Sequence, residues 1–271
     1  REIQELKKLF GGLSEETTRR TIFGELPNLE NLNMESVLEK EPLTIVFSSM
    51  GWIRAMRGHI ALDSKLKFRD GDGANVMFHA YSTDKIFALG SNGRCYTLLA
   101  NTLPGGRGLG EPIRIMIELP NDSEIVSLFL LKPESKVLIA SNVGNGFIVS
   151  HKELQAQTRN GKQILNLKPN QKLSVCAAVE GNLVASIGDN GKLLVFPLAE
   201  LPEMSRGKGV RLQKFKTGGL SDVKTFDDTL GLSWKMVGDK WRTETNIIDW
   251  QGNRATSGRN PPYGFPKTKK F

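Results

Sequence analysis

The chain has 271 residues and a mass of 30.0 kDa, with 39% hydrophobic and 24% charged residues and a formal net charge of +8. That is enough chain for one large domain or two ordinary ones without a disulfide or metal staple. No apolar run approaches the ~20 residues of a membrane span, and no secretory signal opens the sequence.

Residues 1–23 begin as a helix. Ile3, Leu6, Leu9 and Phe10 fall on one face at helical spacing, and Gly11-Gly12 ends the run. Ser14 before Glu15 and Glu16 fits the N-cap of a second short turn, and Thr21-Ile22-Phe23 reads as extended. A helix this short is marginal alone in water, and the chain opens on Arg1, so a piece of a longer protein is expected. Residues 24–42 are acidic and weakly patterned, with a net charge of −4, and read as a linker with a short helix around Met34–Glu39 as the alternative.

From residue 43 the pattern turns to β. A strand, a glycine turn and a second strand recur as 44–48, Gly51 and 52–56, then as 85–89, Gly93 and 94–98. They recur as 136–140, Gly144 to Gly146 and 147–149, as 183–187, Gly191 and 192–196, and as 229–234, Gly238 and 240–243. Alternating apolar residues around glycine turns are the hairpin signature. Counted from Gly51, Gly93, Gly146, Gly191 and Gly238, the intervals are 42, 53, 45 and 47. A period of this size predicts an array of blades, against the alternative of five coincidental hairpins in a sandwich.

A basic glycine loop follows each hairpin. The loops carry Arg54 and Arg57 beside Gly58, Arg107 beside Gly108, Arg159 and Lys162 around Gly161, Arg206 and Lys208 around Gly207, and Arg259 after Gly258. The glycine intervals are 50, 53, 46 and 51. A repeated turn explains the glycines but not the cations beside them. Glycine lets a backbone N–H approach a phosphate oxygen, and Arg or Lys supplies the charge. Arg211, Lys214 and Lys216 extend the fourth loop. Residues 43–271 carry a net charge of +11, which suits either a polyanionic partner or a solvated basic surface.

Catalytic motifs are missing. No phosphate loop, dinucleotide fingerprint, nucleophile elbow or H-E-x-x-H motif occurs. Asp70-Gly-Asp72-Gly opens like a calcium loop but lacks ligands at the fifth and twelfth positions, Ala74 and Tyr81, so it reads as a turn. Cys95 and Cys176 are expected to be buried thiols, and with His59, His79 and His151 they show no zinc spacing. Trp52, Trp234, Trp241 and Trp250 are expected in blade cores. The β region offers no recognition helix, so direct base readout is not expected.

Three runs carry a family resemblance: 41–59 (EPLTIVFSSMGWIRAMRGH), 102–112 (TLPGGRGLGEP) and 201–212 (LPEMSRGKGVRL). They resemble the C-terminal domain of the A-type subunit of bacterial DNA topoisomerase IV, of the gyrase A-like family. Residues 2–6 with Arg19-Arg20-Thr21 resemble the end of the preceding breakage-reunion region. The resemblance implies an all-β, propeller-like β-pinwheel of five blades over 43–262, after the linker of 24–42, with a basic tail over 263–271. It implies a non-catalytic domain that grips and bends duplex DNA on its rim without reading sequence. It also implies a parent type IIA topoisomerase that uses ATP and magnesium bound elsewhere, partners with the B-type subunit of topoisomerase IV, and works in the bacterial cytoplasm at the nucleoid. None of Tyr81, Tyr96 or Tyr263 stands in a catalytic context, and the basic double-glycine box of gyrase is missing, which favours bending over full wrapping. The expected phosphate contacts are Arg54, Arg57, Arg107, Arg159, Lys162, Arg206, Lys208, Arg211, Lys214, Lys216 and Arg259. The alternatives are a propeller scaffold for acidic proteins, a gyrase-type wrapping domain, and a propeller enzyme with a central-channel site.

Overall fold

A computed structural model describes residues 1–11, 39–236 and 240–271. The chain divides into two compact units, Arg1–Glu39 and Lys40–Phe271. In the first, helix α1 (Glu2–Phe10) forms where the apolar spacing predicts it. Glu2 and Glu5 occupy its first turn and Lys7 and Lys8 its last, as the helix dipole favours. The expected Ser14 cap, the extended 21–23 and most of the acidic linker lie outside the described residues, as does the fifth turn glycine, Gly238.

The second unit is built on five hairpins. They pair β1 (Pro42–Ser48) with β2 (Trp52–Arg57), β4 (Lys85–Gly90) with β5 (Arg94–Leu99), and β8 (Lys136–Ser141) with β9 (Asn145–Ser150). The last two pair β12 (Leu183–Gly188) with β13 (Leu193–Pro197), and β16 (Leu232–Lys235) with β17 (Trp241–Glu244). In the first four, the turn glycine (Gly51, Gly93, Gly144 or Gly191) lies at φ between 72° and 82°. Its N–H donates to the carbonyl three residues back at 2.8–3.0 Å. The left-handed position of such hairpin loops is one that glycine fills without steric cost. In the third hairpin this residue is Gly144. Gly146 lies inside β9 and pairs with Ala140.

Four further strands line the inner side of the array: β3 (Ala74–Tyr81), β7 (Ile125–Leu130), β11 (Leu173–Ala178) and β15 (Leu220–Phe226). Each pairs antiparallel with the first strand of its hairpin, with a bulge at the end of that strand. Each also lies beside the next in the series. On the opposite edge, three two-residue strands pair with the second hairpin strand: β6 (Glu111–Pro112) on β2, β10 (Lys162–Gln163) on β5 and β14 (Val210–Arg211) on β9. Each of these reaches its sheet only after the chain has built the following hairpin, so successive sheets exchange strands. The result among the described residues is three four-stranded sheets, one three-stranded sheet and a two-stranded ribbon.

The core lies between successive sheets. Ile86 and Ala88 pack toward the first sheet, whereas Phe87 and Leu89 pack toward the third. Val137 and Ile139 face back in the same way, and Leu138 and Ala140 face forward. Strand side chains alternate faces, so a sheet covered on both sides needs apolar residues at every position. This is why these strands read as continuous apolar runs. The last core, between the fourth sheet and the ribbon, holds Trp234, with Trp250, Phe265 and Phe271 packed against it. Part of the expected tail is therefore packed on the ribbon. Trp241 departs from the expectation of core packing: it is 65% exposed on β17. Cys95 is buried and Cys176 partly so, both free, and burial pushes the Cys176 thiol up to about 12. Asp72 forms the expected turn, its Oδ1 accepting from the Met50 and Gly73 N–H groups at 2.9 and 2.8 Å.

Glycine substitutions separate two demands of this fold. Gly51 has open space around its Cβ position, so Gly51→Ala should cost about 1 kcal/mol from backbone conformation alone. A Cβ on Gly209 would lie 2.3 Å from the Gly146 carbonyl oxygen, so Gly209→Ala should cost roughly 3 kcal/mol or more. Urea denaturation of the two variants checks the difference.

Candidate nucleic-acid interface

The rim is built by the exchanged segments. Each is tied to its sheet twice. In the first, the Ala55 N–H donates to Pro104 O at 2.8 Å, and β6 then pairs with Trp52–Ile53. In the second, the Ala156 N–H donates to Thr97 Oγ1 at 2.9 Å before β10. In the third, the Ile148 N–H donates to Pro202 O at 3.0 Å before β14. In the fourth, the Gly252 N–H donates to Val195 O at 2.9 Å, and Arg259 then forms an antiparallel bridge with Leu193. Between the two ties the chain leaves the sheet as a bow that is largely exposed.

A glycine precedes each exchanged strand: Gly110, Gly161, Gly209 and Gly258, at φ of 92°, 68°, 72° and 74°. A Cβ on any of them would lie 2.3–2.8 Å from a carbonyl oxygen of the strand it docks on. These glycines are therefore required by strand exchange. Their spacing is 51, 48 and 49 residues, tighter than the spacing read from Gly58, Gly108 and Gly207. Gly58 belongs elsewhere, because its N–H closes the open end of the first hairpin on Pro42 O at 2.8 Å.

Each bow carries an arginine: Arg107, Arg159, Arg206 and Arg254. Three of them reach back to the preceding exchanged strand or to the segment that follows it. Arg159 donates from Nε to Met116 O at 2.9 Å and from Nη2 to Ile115 O. Arg206 Nε donates to Asn166 Oδ1 at 3.2 Å, and Arg254 Nη1 to Arg211 O at 2.7 Å. Backbone bonds run in parallel, from the Glu118 N–H to Arg159 O, the Asn166 N–H to Gly207 O and the Ala255 N–H to Leu212 O, at 2.8–2.9 Å. The exchanged segments thus form a hydrogen-bonded belt. Arg254 was hidden in sequence by the more conspicuous Gly258-Arg259 pair, and its signal is the interval of 52, 47 and 48 residues between the four arginines.

The eleven expected contacts fall into two groups. Arg57, Arg107, Lys208, Arg211, Lys214, Lys216 and Arg259 are exposed and make no ion pair among the described residues. Arg57 and Arg107 line one shallow depression with Met56, Ile60 and Gly106. The others are engaged. Arg159 and Arg206 belong to the belt. Lys162 pairs with Glu153 at 3.5 Å. Arg54 is 5% exposed and spends its guanidinium on backbone carbonyls. Burial holds its pKa below the ordinary arginine value. No group of three metal-ligating side chains occurs among the described residues.

The two groups predict different mutational signatures. Arg159→Ala should lower stability by about 1–2 kcal/mol through lost carbonyl bonds, and Lys208→Gln by less than about 0.5 kcal/mol. Urea midpoints of the two variants check this.

A family profile described as the DNA gyrase C-terminal domain, beta-propeller, matches residues 84–132, 135–180 and 183–220. The chain is 41% identical over its whole length to the A-type subunit of DNA topoisomerase 4 from Rickettsia bellii. It is 42% identical over 94% of its length to the same protein of Caulobacter vibrioides. It spans 37% and 34% of those two relatives. Among solved structures, the E. coli ParC C-terminal domain superposes with a TM-score of 0.72 at 27% identity, covering 84% of this chain and 96% of that one. A DNA gyrase A C-terminal domain shares the fold, with a TM-score of 0.60 at 16% identity and coverage of 85% of this chain and 80% of that one.

Proposed function

We propose that this chain, which belongs to the family of DNA gyrase C-terminal β-propeller domains, holds duplex DNA against its outer rim and bends it. The carrying observation is the set of seven exposed cations without acidic partners on or beside the exchanged segments. Cations on bowed loops can neutralise successive phosphates, and phosphate contact positions a duplex without reading its bases. A duplex that follows a curved rim must bend, and the cost of bending is offset by the added contacts.

In the longer protein, such a domain would present a DNA segment for transport by a topoisomerase IV that relaxes supercoils and separates linked DNA. The breakage-reunion region of the same polypeptide, the B-type partner of the holoenzyme, ATP and magnesium would supply the chemistry. This unit supplies position and charge, and none of its residues is assigned to catalysis.

Binding to a duplex of about 40 base pairs over a salt series tests the reading. Each phosphate contact contributes about −0.9 to the slope of log K against log salt, so six contacts give a slope near −5. Replacing Lys208 and Arg211 by Gln should reduce the magnitude of that slope by about 2 for every duplex sequence alike. Absence of binding at low salt, or a slope the double variant leaves unchanged, would overturn it.

A further inference from the structure

The belt has a gap at its start. Arg159, Arg206 and Arg254 each reach back to a preceding exchanged strand or to the segment after it. The bow of 105–110 is the first of the series among the described residues and has no such predecessor there. Arg54, on β2 beneath it, takes the linking role from below. Its Nη1 donates to Gly108 O and its Nη2 to Lys67 O, both at 2.8 Å, and its guanidinium lies 5.4 Å from the Phe68 ring centroid. Nε is buried without a partner, and no carboxylate pairs with the group among the described residues.

Lys67 lies on the loop of 60–73, which joins β2 to β3. Asp72 fixes the far end of this loop on the Met50 and Gly73 N–H groups, and the Ser49 N–H donates to Gly73 O at 2.9 Å. The loop exposes Lys65, Lys67 and Arg69, and the Arg69 guanidinium stacks over the Trp52 ring at 4.0 Å. A buried guanidinium without a counter-ion is costly unless its hydrogen bonds and surroundings offset the loss of water. Arg54 is retained where two carbonyls from two basic loops converge on it.

We infer that Arg54 is a positioning residue that joins the loops of 60–73 and 105–110 into one two-loop binding site for consecutive phosphates of a DNA backbone, with Lys65, Lys67 and Arg69 facing the same ligand as Arg57 and Arg107. The inference rests on the DNA-binding reading above and adds a loop whose cations lie outside the repeat. Lysine at position 54 keeps the charge but cannot span both carbonyls, so charge and clamping are separable.

The test uses Arg54→Met, Arg54→Lys and the triple variant Lys65→Gln, Lys67→Gln and Arg69→Gln. The readouts are duplex affinity over a salt series and amide exchange in both loops. The triple variant should bind ~10-fold more weakly, with a slope smaller in magnitude by about 2–3. Arg54→Met should speed exchange in both loops at once and weaken binding by a similar factor. Adding the triple variant to it should then cost less than the triple variant costs alone, because the two changes disable one site. Arg54→Lys should keep the fold and restore part of the affinity, but not the exchange protection. Unchanged affinity in the triple variant, or unchanged exchange in both Arg54 variants, overturns the inference. If the unaltered chain bound no duplex, the DNA reading would fall, while loop exchange would still report whether Arg54 clamps.

Discussion

Everything distinctive in this unit depends on a close approach of two backbones. The second strand of a β-hairpin leaves a row of unpaired N–H and C=O groups, and an uncovered edge is a liability for association. Here the edge is covered by a short strand delivered from beyond the next hairpin. That strand can dock only if the residue before it turns through a left-handed conformation against a carbonyl oxygen. Gly110, Gly161, Gly209 and Gly258 meet both conditions, because a Cβ at any of them would fall within 2.8 Å of that oxygen. Strand exchange therefore closes edges, links each sheet to the next and places a bow of chain on the outside in one operation.

The same operation decides where charge can go. The face between sheets is committed to apolar packing, and the inner strands lie beside one another. Exposed cations therefore sit outside these faces, on the bows, on the segments that follow them and on loops such as that of 60–73. Some of these cations work inward. The guanidinium groups of Arg159, Arg206 and Arg254 tie one exchanged segment to the next. Carbonyl and amide oxygens accept these bonds, so the links consume no acidic residue. The basic excess of the unit is thus only partly exposed and unpaired, and Arg57, Arg107, Lys208, Arg211, Lys214, Lys216 and Arg259 are within that part, where like charges repel one another.

The first four hairpins were legible because their strands are largely buried on both faces. Runs such as Ile86-Phe87-Ala88-Leu89 between glycine turns carry their own signal. The inner strands were not, since β3 is buried at one position of eight and β11 at two of six. Strands of two residues have no period at all, so the exchange cannot be read from sequence, and the glycines it requires lie two residues beyond Gly108 and Gly207. Charge alone does not say which way a side chain points. Arg54 and Arg57 look equivalent in sequence, yet one is buried on two carbonyls and the other is exposed. The family resemblance supplied the pinwheel, and the period in the forties supplied the array. The division of the arginines needed coordinates.

An array of exchanged strands also has two ends, and each is finished differently. At the first sheet no earlier exchanged segment supports the bow among the described residues, and Arg54 links it to the loop of 60–73 by hydrogen bonds. At the last, the β16–β17 ribbon has neither an inner strand nor an exchanged strand among the described residues. Its cover is aromatic. Phe265 packs 5.3 Å from the Trp234 ring, and Phe271 5.5 Å from Phe265. The Ser221 hydroxyl donates to Lys269 O, and the Phe271 N–H to Asp222 Oδ2, fastening this segment along β15. A polar clamp beneath exposed cations suits an end that meets a charged ligand, because its bonds fix loop position without covering the surface. An aromatic plug suits an end whose first need is to replace missing strands with buried area. The contrast sets a hydrogen-bonded guanidinium under exposed cations at the first sheet against buried aromatic area at the last.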